Sequence, residues 1–152
     1  MIFKKILREE LIRSKIEKIK DSLNFISENL PDNYEDFIKS RVLFSAIYKE
    51  IEQAIELVLD IFSIINADLR LGFPQTEDNI LDSIEKKGIF DKKIMNLVRE
   101  IKRFRNFLVH RYEDTDHQKA YEYITEGLKD FEIIINKIEK FLEKHKPKGK
   151  KK

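Results

Sequence analysis

Apolar side chains recur every three or four residues along almost the whole chain of 152 residues. This spacing places them on one face of an α-helix, whereas a half-buried β-strand alternates apolar and polar residues. The chain has only four glycines and three prolines, fewer turn residues than a many-stranded fold needs. The sequence therefore predicts an all-α fold.

Breaks in the apolar pattern divide the chain into helices. The predicted segments are residues 3–29, residues 35–69, a short helix between Thr76 and Gly88, a fourth helix after Asp91 and a last helix after Thr115. Pro31 ends the first helix because the residue before a proline disfavours helical geometry. Thr76 and Asp91 are predicted N-caps, and Thr115 is predicted to form a capping box with Gln118. We predict an antiparallel bundle of about five helices in one domain, residues 1–143.

Charge is distributed unevenly along the chain. The last nine residues, Lys144 to Lys152, contain six lysines and no acid, and residues 1–143 carry 24 basic and 28 acidic side chains. The body is therefore not generally basic, and any phosphate recognition must be local and depend on a few arginines. We expect residues 144–152 to form a flexible tail, with weak attraction to RNA as the functional alternative.

Composition excludes several classes of site. The absence of cysteine rules out disulfides, thiolate metal sites and cysteine nucleophiles, and it favours a cytoplasmic protein. The apolar stretch 55–65 contains Glu56 and Asp60 and is shorter than the roughly 20 residues of a membrane span, so no membrane association is expected. His117 and His145 lie in a predicted link and in the tail, and no histidine pair has the spacing of metal ligands. We expect no metal and no cofactor.

One segment near the end of the predicted fourth helix concentrates chemically active side chains, and it reads Arg-Phe-Arg-Asn-Phe-Leu-Val-His-Arg-Tyr from Arg103 to Tyr112. When the segment is projected as a helix at about 100° per residue, its polar side chains and Val109 fall on one side, and three apolar side chains fall on the remaining arc. The polar residues are Arg103, Arg105, Asn106, His110 and Tyr112, and the apolar residues on the other arc are Phe104, Phe107 and Leu108. An exposed guanidinium can hold phosphate oxygens, and an imidazole titrates near neutral pH.

Structural interpretations compete with this one. An arginine and a histidine near a helix end often pair only with carboxylates or with the helix dipole. Asp60 could reach Arg105 or form a structural salt bridge, and we leave it outside the catalytic set. The many phenylalanines could stack nucleobases, but at helical spacing they usually belong to the core.

The string Arg-Asn-Phe-Leu-Val-His-Arg-Tyr, residues 105–112, resembles the R-N-x-x-V-H-x-Y signature of the HepT-like ribonuclease toxins of the HEPN superfamily. The similarity continues in residues 54–61, which resemble that family's long second helix. The Gly72-Phe73-Pro74 turn, the short helix 80–88 and the link 114–116 follow in the same order. Roughly residues 35–143 are covered by the resemblance.

The resemblance implies an HEPN-like fold and an endoribonuclease toxin that is paired with a minimal nucleotidyltransferase antitoxin. It also implies a homodimer whose two motifs face one cleft. By position, Arg105 and His110 are the catalytic pair, Asn106 is a polar orienting residue, and Tyr112 is the tyrosine that the antitoxin can modify with adenylyl groups.

The chemistry of RNA cleavage agrees with these roles. Without a metal, cleavage needs a base for the 2′-hydroxyl, an acid for the 5′-oxygen and positive charge near the phosphorus. Two copies of His110 related by a twofold axis could divide the proton transfers, each beside an Arg105, and yield a 2′,3′-cyclic phosphate. The alternative is a non-catalytic helical module that binds nucleotide or docks onto a nucleotidyltransferase. Both the ribonuclease interpretation and this alternative need Arg105 to be exposed.

Overall fold

The computed structural model describes residues 7–109 and 116–145. In these two ranges the chain forms six α-helices and no strand, which confirms the all-α prediction. The helices are α1 (Glu9–Asn29), α2 (Tyr34–Lys39), α3 (Arg41–Asp68), α4 (Glu77–Lys86), α5 (Lys92–Val109) and α6 (His117–Lys144). None of them is both long enough and apolar enough to cross a membrane.

The central element of the bundle is α3, which contacts α1, α2, α4 and α5. Its 28 residues are buried on nearly every turn, and Ile47, Ile55 and Phe62 have no exposed surface. The last helix, α6, packs against α5, α2 and α1, so the core lies between α3 and its neighbours on several sides. This arrangement explains the long apolar register of residues 43–65, because a helix with several neighbours must be apolar over much of its circumference.

The predicted helix 35–69 is wrong in one respect, because it is two helices. Ser40 is extended, with φ −113° and ψ 104°, and its hydroxyl accepts a hydrogen bond from the Leu43 amide at 3.1 Å. It thus ends α2 and caps α3. The break is invisible in the apolar pattern because Phe37 on one side and Leu43 on the other both pack on the same core.

Most of the predicted helix ends are confirmed. Thr76 caps α4 by accepting from the Asn79 amide at 3.1 Å, and Asp91 accepts from the Ile94 amide at 3.0 Å. Gly88 follows α4 with a φ of +71°, the left-handed conformation in which glycine carries no steric penalty.

The last helix begins differently from the prediction. The cap of α6 is Asp116, which accepts from the Lys119 amide at 2.9 Å. Thr115, the predicted cap, lies outside the described residues. The helix continues through Lys144, one residue past the predicted domain end at 143, and residues 146–152 of the predicted tail also lie outside.

Candidate functional site

The candidate site is built on the last turns of α5. Arg105 and Asn106 lie on this helix, which the structure describes as far as Val109. Phe104 and Leu108 are buried, as the helical projection predicts, and Phe107 is partly buried against the core. His110 and Tyr112 lie outside the described residues, so their predicted roles stay predictions.

Three cations spaced three residues apart on α5 pair with acids on α4. Arg99 contacts Asp82 at 2.8 Å and Glu85 at 2.6 Å, Lys102 contacts Asp78 at 3.1 Å, and Arg105 contacts Glu77 at 2.8 Å. The residue numbers of the acids decrease as those of the cations increase, so α4 and α5 run antiparallel. We call this row of ion pairs the α4–α5 ladder, and it fixes the rotation of α5 about its axis.

Arg105 differs from the other members of the ladder because all five of its N–H groups are engaged. Glu77 accepts from both terminal nitrogens, at 3.1 and 2.8 Å. Glu56, which projects from α3, accepts a single bond at 3.1 Å from Nη1. The side-chain oxygen of Asn106 accepts from Nε at 3.2 Å and from Nη2 at 2.9 Å. Three partners therefore hold the guanidinium in one plane.

The exposed guanidinium expected from the sequence is not found. The Arg105 side chain is 12% exposed, whereas Glu56 is 52% and Glu77 is 41% exposed. The helical projection predicted the direction of Arg105 but contained no information about α3 and α4, the helices that cover it. A phosphate can reach Arg105 only if one of its carboxylate partners moves away.

The electrostatics of the cluster follow from these contacts. The hydrogen bond from Arg105 lowers the pKa of Glu77, although partial burial opposes the shift. The same bond raises the pKa of Arg105 above its ordinary value, with the charge of Glu56 acting in the same direction. Both shifts favour the charged forms of Glu77 and Arg105. One cation with two carboxylates leaves the cluster with a net charge of −1 when no phosphate is bound.

The two acids were missed in the sequence. Glu56 interrupts an apolar stretch of α3, a signal that was used only to exclude a membrane span. Glu77 follows the cap residue of α4, where an acid is common because it interacts favourably with the helix dipole. Neither position indicates a contact with residue 105, which is 49 or 28 residues away.

Other titratable residues lie away from this cluster. Asp60 does not contact Arg105: it is half exposed and pairs with Lys15 at 3.5 Å. His117 is the first residue of α6 rather than part of a link, and its Nδ1 is 2.8 Å from the Tyr48 hydroxyl oxygen. Among residues 7–109 and 116–145, no three His, Asp or Glu side chains are grouped as metal ligands.

The architecture is that of HEPN proteins. A solved structure of a tri-AMPylated HEPN toxin from Shewanella oneidensis, in complex with an MNT antitoxin, superimposes with a TM-score of 0.76 at 22% identity, covering 85% of this chain and 96% of that one. The family model described as Ribonuclease HepT-like matches residues 12–138. The chain belongs to the HepT-like ribonuclease family.

Two relatives extend this comparison over nearly the full chain. A proposed RNase of Archaeoglobus fulgidus is 26% identical over 141 residues, covering 93% of this chain and all of the relative. The mRNA nuclease HepT of S. oneidensis is 22% identical over 129 residues, covering 85% of this chain and 96% of the relative. The similarity therefore includes α1, for which the sequence showed no specific motif.

Proposed function

We propose that the protein is an endoribonuclease toxin that cleaves RNA without a metal ion. The observation that carries the proposal is the guanidinium of Arg105, held in one plane five residues before His110 in a chain of a ribonuclease family. A positioned arginine can bind the phosphate oxygens of RNA and stabilise the charge that develops on them during the reaction.

Cleavage in this proposal needs two histidines and therefore two copies of the chain. His110 of one copy removes the proton of the 2′-hydroxyl, whose oxygen attacks the adjacent phosphorus. As the bond to the 5′-oxygen breaks, the protonated His110 of the other copy gives a proton to the leaving oxygen. The products are a 2′,3′-cyclic phosphate and a free 5′-hydroxyl. Asn106, which already holds Arg105, orients the guanidinium for this reaction.

Substrate must exchange with a carboxylate at Arg105. Glu56 makes one hydrogen bond and is half exposed, whereas Glu77 makes two. Releasing Glu56 thus breaks the fewest bonds and frees one N–H for a phosphate oxygen. Glu77 and Asn106 remain in place and keep the guanidinium oriented while the phosphate is bound.

The partner in this proposal is a nucleotidyltransferase antitoxin that adds adenylyl groups to Tyr112. The S. oneidensis HEPN toxin of the same fold is tri-AMPylated and bound to an MNT antitoxin, which supports the assignment. Incubating the protein with its antitoxin and ATP should add adenylyl masses to the wild type. Tyr112→Phe should gain none, and equal labelling of the variant would place the modification elsewhere.

The catalytic roles can be separated from structural ones with matched variants. Arg105→Ala and Arg99→Ala each remove an arginine of the α4–α5 ladder, so both should lower the free energy of unfolding. Only Arg105→Ala should abolish cleavage of RNA. His110→Ala should also abolish it, whereas His145→Ala should not. Equal cleavage by wild type and His110→Ala would refute the catalytic role of His110. A wild type that does not cleave RNA would leave the alternative, a non-catalytic module that binds nucleotide or docks onto a nucleotidyltransferase.

The homodimer is tested by measuring molar mass in solution. Light scattering during size-exclusion chromatography should give twice the 18.3 kDa of one chain. Mixing the wild type with an excess of His110→Ala should lower the cleavage rate per wild-type chain, because a mixed dimer holds only one of the two histidines. A monomer that cleaves RNA would contradict the division of proton transfers between two histidines.

A further inference from the structure

A small cavity of about 200 Å³ opens between α5 and α6, away from the carboxylates that hold Arg105. Its lining consists of three aromatic rings and two cations: Phe104, Phe107, Tyr123, Arg103 and Lys119. Pockets for drug-sized ligands measure about 300–1,000 Å³, so this one suits a smaller flat group. The proposed catalytic residues do not account for it.

The three rings form a column. Phe104 and Tyr123 are parallel within 3°, with centroids 4.3 Å apart, and Phe107 lies 5.9 Å from Phe104 at 18°. Phe104 is buried in the middle, whereas Phe107 and Tyr123 are only partly buried. The Tyr123 hydroxyl donates to the Glu100 carbonyl oxygen at 3.1 Å, which fixes its ring. A flat ring entering the cavity would continue an existing stack.

The two cations at the cavity are available for a ligand. Arg99 and Arg105 on the same helix are bound to carboxylates, but neither Arg103 nor Lys119 pairs with an acid among residues 7–109 and 116–145. Burial raises the pKa of Tyr123, while the positive charge of Arg103 opposes the rise, so Arg103 lies near that ring. Unpaired cations beside partly exposed aromatic rings are a combination that binds single-stranded nucleic acid.

We propose that this cavity is a nucleobase subsite for the RNA substrate, in which one base stacks on the aromatic column and Arg103 and Lys119 bind the neighbouring phosphates. The inference rests on the proposed ribonuclease function. Along the chain, Phe107 precedes His110 by three residues and Lys119 follows it at the start of α6, so the subsite residues lie on both sides of His110 in the sequence.

A second copy of the chain is the competing occupant, and charge disfavours it. A twofold contact centred on this cavity would bring Arg103 and Lys119 of both copies together, whereas RNA supplies the opposite charge. RNA therefore complements the charge of the cavity, which a second copy of the chain does not.

The ring arm of the test compares binding of two labelled oligonucleotides by fluorescence anisotropy. Both carry 2′-O-methyl groups and cannot be cleaved, and one has abasic positions in place of bases. The wild type should bind the base-containing oligonucleotide at least about fivefold more tightly. Phe107→Leu, which keeps an apolar side chain, should lose this preference. Phe25→Leu, a matched change at a partly buried phenylalanine of α1, should keep it.

The cation arm uses exposed side chains whose removal leaves the core intact. Arg103→Ala should reduce the slope of log Kd against log salt by about 0.7, the value for one contact with a single-stranded phosphate. Lys129→Ala, an exposed lysine ten residues beyond Lys119 on α6, should leave the slope unchanged. Equal slopes for wild type and Arg103→Ala would overturn the role of this arginine.

The outcomes separate the subsite from the proposed function. A wild type that cleaves RNA, together with a Phe107→Leu variant that keeps the base preference, would overturn the subsite alone. A wild type that fails to cleave but shows a base preference dependent on Phe107 would support the subsite and refute the ribonuclease proposal. A change in molar mass caused by Phe107→Leu or Arg103→Ala would assign the cavity to contact between copies and overturn the inference.

Discussion

Glu56→Gln should strengthen the binding of RNA. The change keeps the shape of the side chain and its capacity to accept a hydrogen bond from Arg105, but it removes the negative charge. In the wild type, Glu56 holds one N–H of Arg105 at 3.1 Å, and a phosphate must displace it. A neutral amide is displaced more easily than a carboxylate, and it does not repel the incoming phosphate.

The expected size of the effect follows from the exposure of the pair. Glu56 is 52% exposed, so water screens its attraction to Arg105. Exposed ion pairs contribute about 0.2–1 kcal/mol, which corresponds to a change of about 1.4- to 5-fold in an equilibrium constant. Loss of repulsion between Glu56 and phosphate acts in the same direction. We expect KM for RNA to fall about two- to fivefold, with kcat nearly unchanged because Glu77 and Asn106 still hold Arg105.

The assay is steady-state cleavage of a fluorogenic RNA at fixed ionic strength. Asp60→Asn is the matched control: it lies one turn further along α3, is 54% exposed, pairs with Lys15 and has no contact with Arg105. It removes the same charge and so measures the general effect of a less acidic surface. A KM for Glu56→Gln that equals that of Asp60→Asn, or that exceeds the wild-type KM, would refute displacement of Glu56 by substrate.

Three further predictions concern stability and the metal-free mechanism. Glu77→Gln should lower the free energy of unfolding in urea by about 0.5–1 kcal/mol at pH 7, discounted for the exposure of Glu77. Because Arg105 lowers the pKa of Glu77, the stabilisation by this ion pair is fully present above the ordinary pKa of a glutamate and is lost as the pH falls through the lowered pKa of Glu77. The unfolding free energies of the variant and the wild type should therefore converge in acid. A constant difference between them down to pH 2 would contradict the ion pair as the source of the stabilisation. Ser40→Ala should cost about 1 kcal/mol, because the α3 cap to Leu43 is lost, and an unchanged urea midpoint would show that the cap is unimportant. Addition of a chelator should leave the rate of RNA cleavage unchanged, and loss of activity that returns with a divalent ion would refute metal independence.

The α4–α5 ladder links stability to the candidate site. Arg99 and Lys102 make contacts with α4 that need no functional explanation. Arg105 continues the same row, but it also binds Glu56 of α3 and Asn106 of its own helix. The interpretation of this arginine as a structural residue is therefore correct in part, because it pairs with carboxylates, as arginines near helix ends often do. Its fixed orientation is also what a phosphate-binding arginine requires.

The sequence alone was enough to predict most of the helices and the family. Apolar residues at intervals of three and four determine which face of each helix is buried, and cap residues such as Thr76, Gly88 and Asp91 determine where helices end. These are local properties, because each depends on residues within about one turn of the helix. The Arg-Asn-x-x-Val-His-x-Tyr string is local as well, so the resemblance to HepT-like ribonucleases was visible without coordinates.

Tertiary structure decided everything that joins distant parts of the chain. The burial of Arg105 depends on Glu56 and Glu77, and the stacking of Phe104 on Tyr123 depends on the docking of α6 against α5. The break at Ser40 was also hidden, because packing against the core keeps the apolar register continuous across it. Contacts between residues tens of positions apart arise from how helices pack, and no local pattern of side chains encodes that geometry.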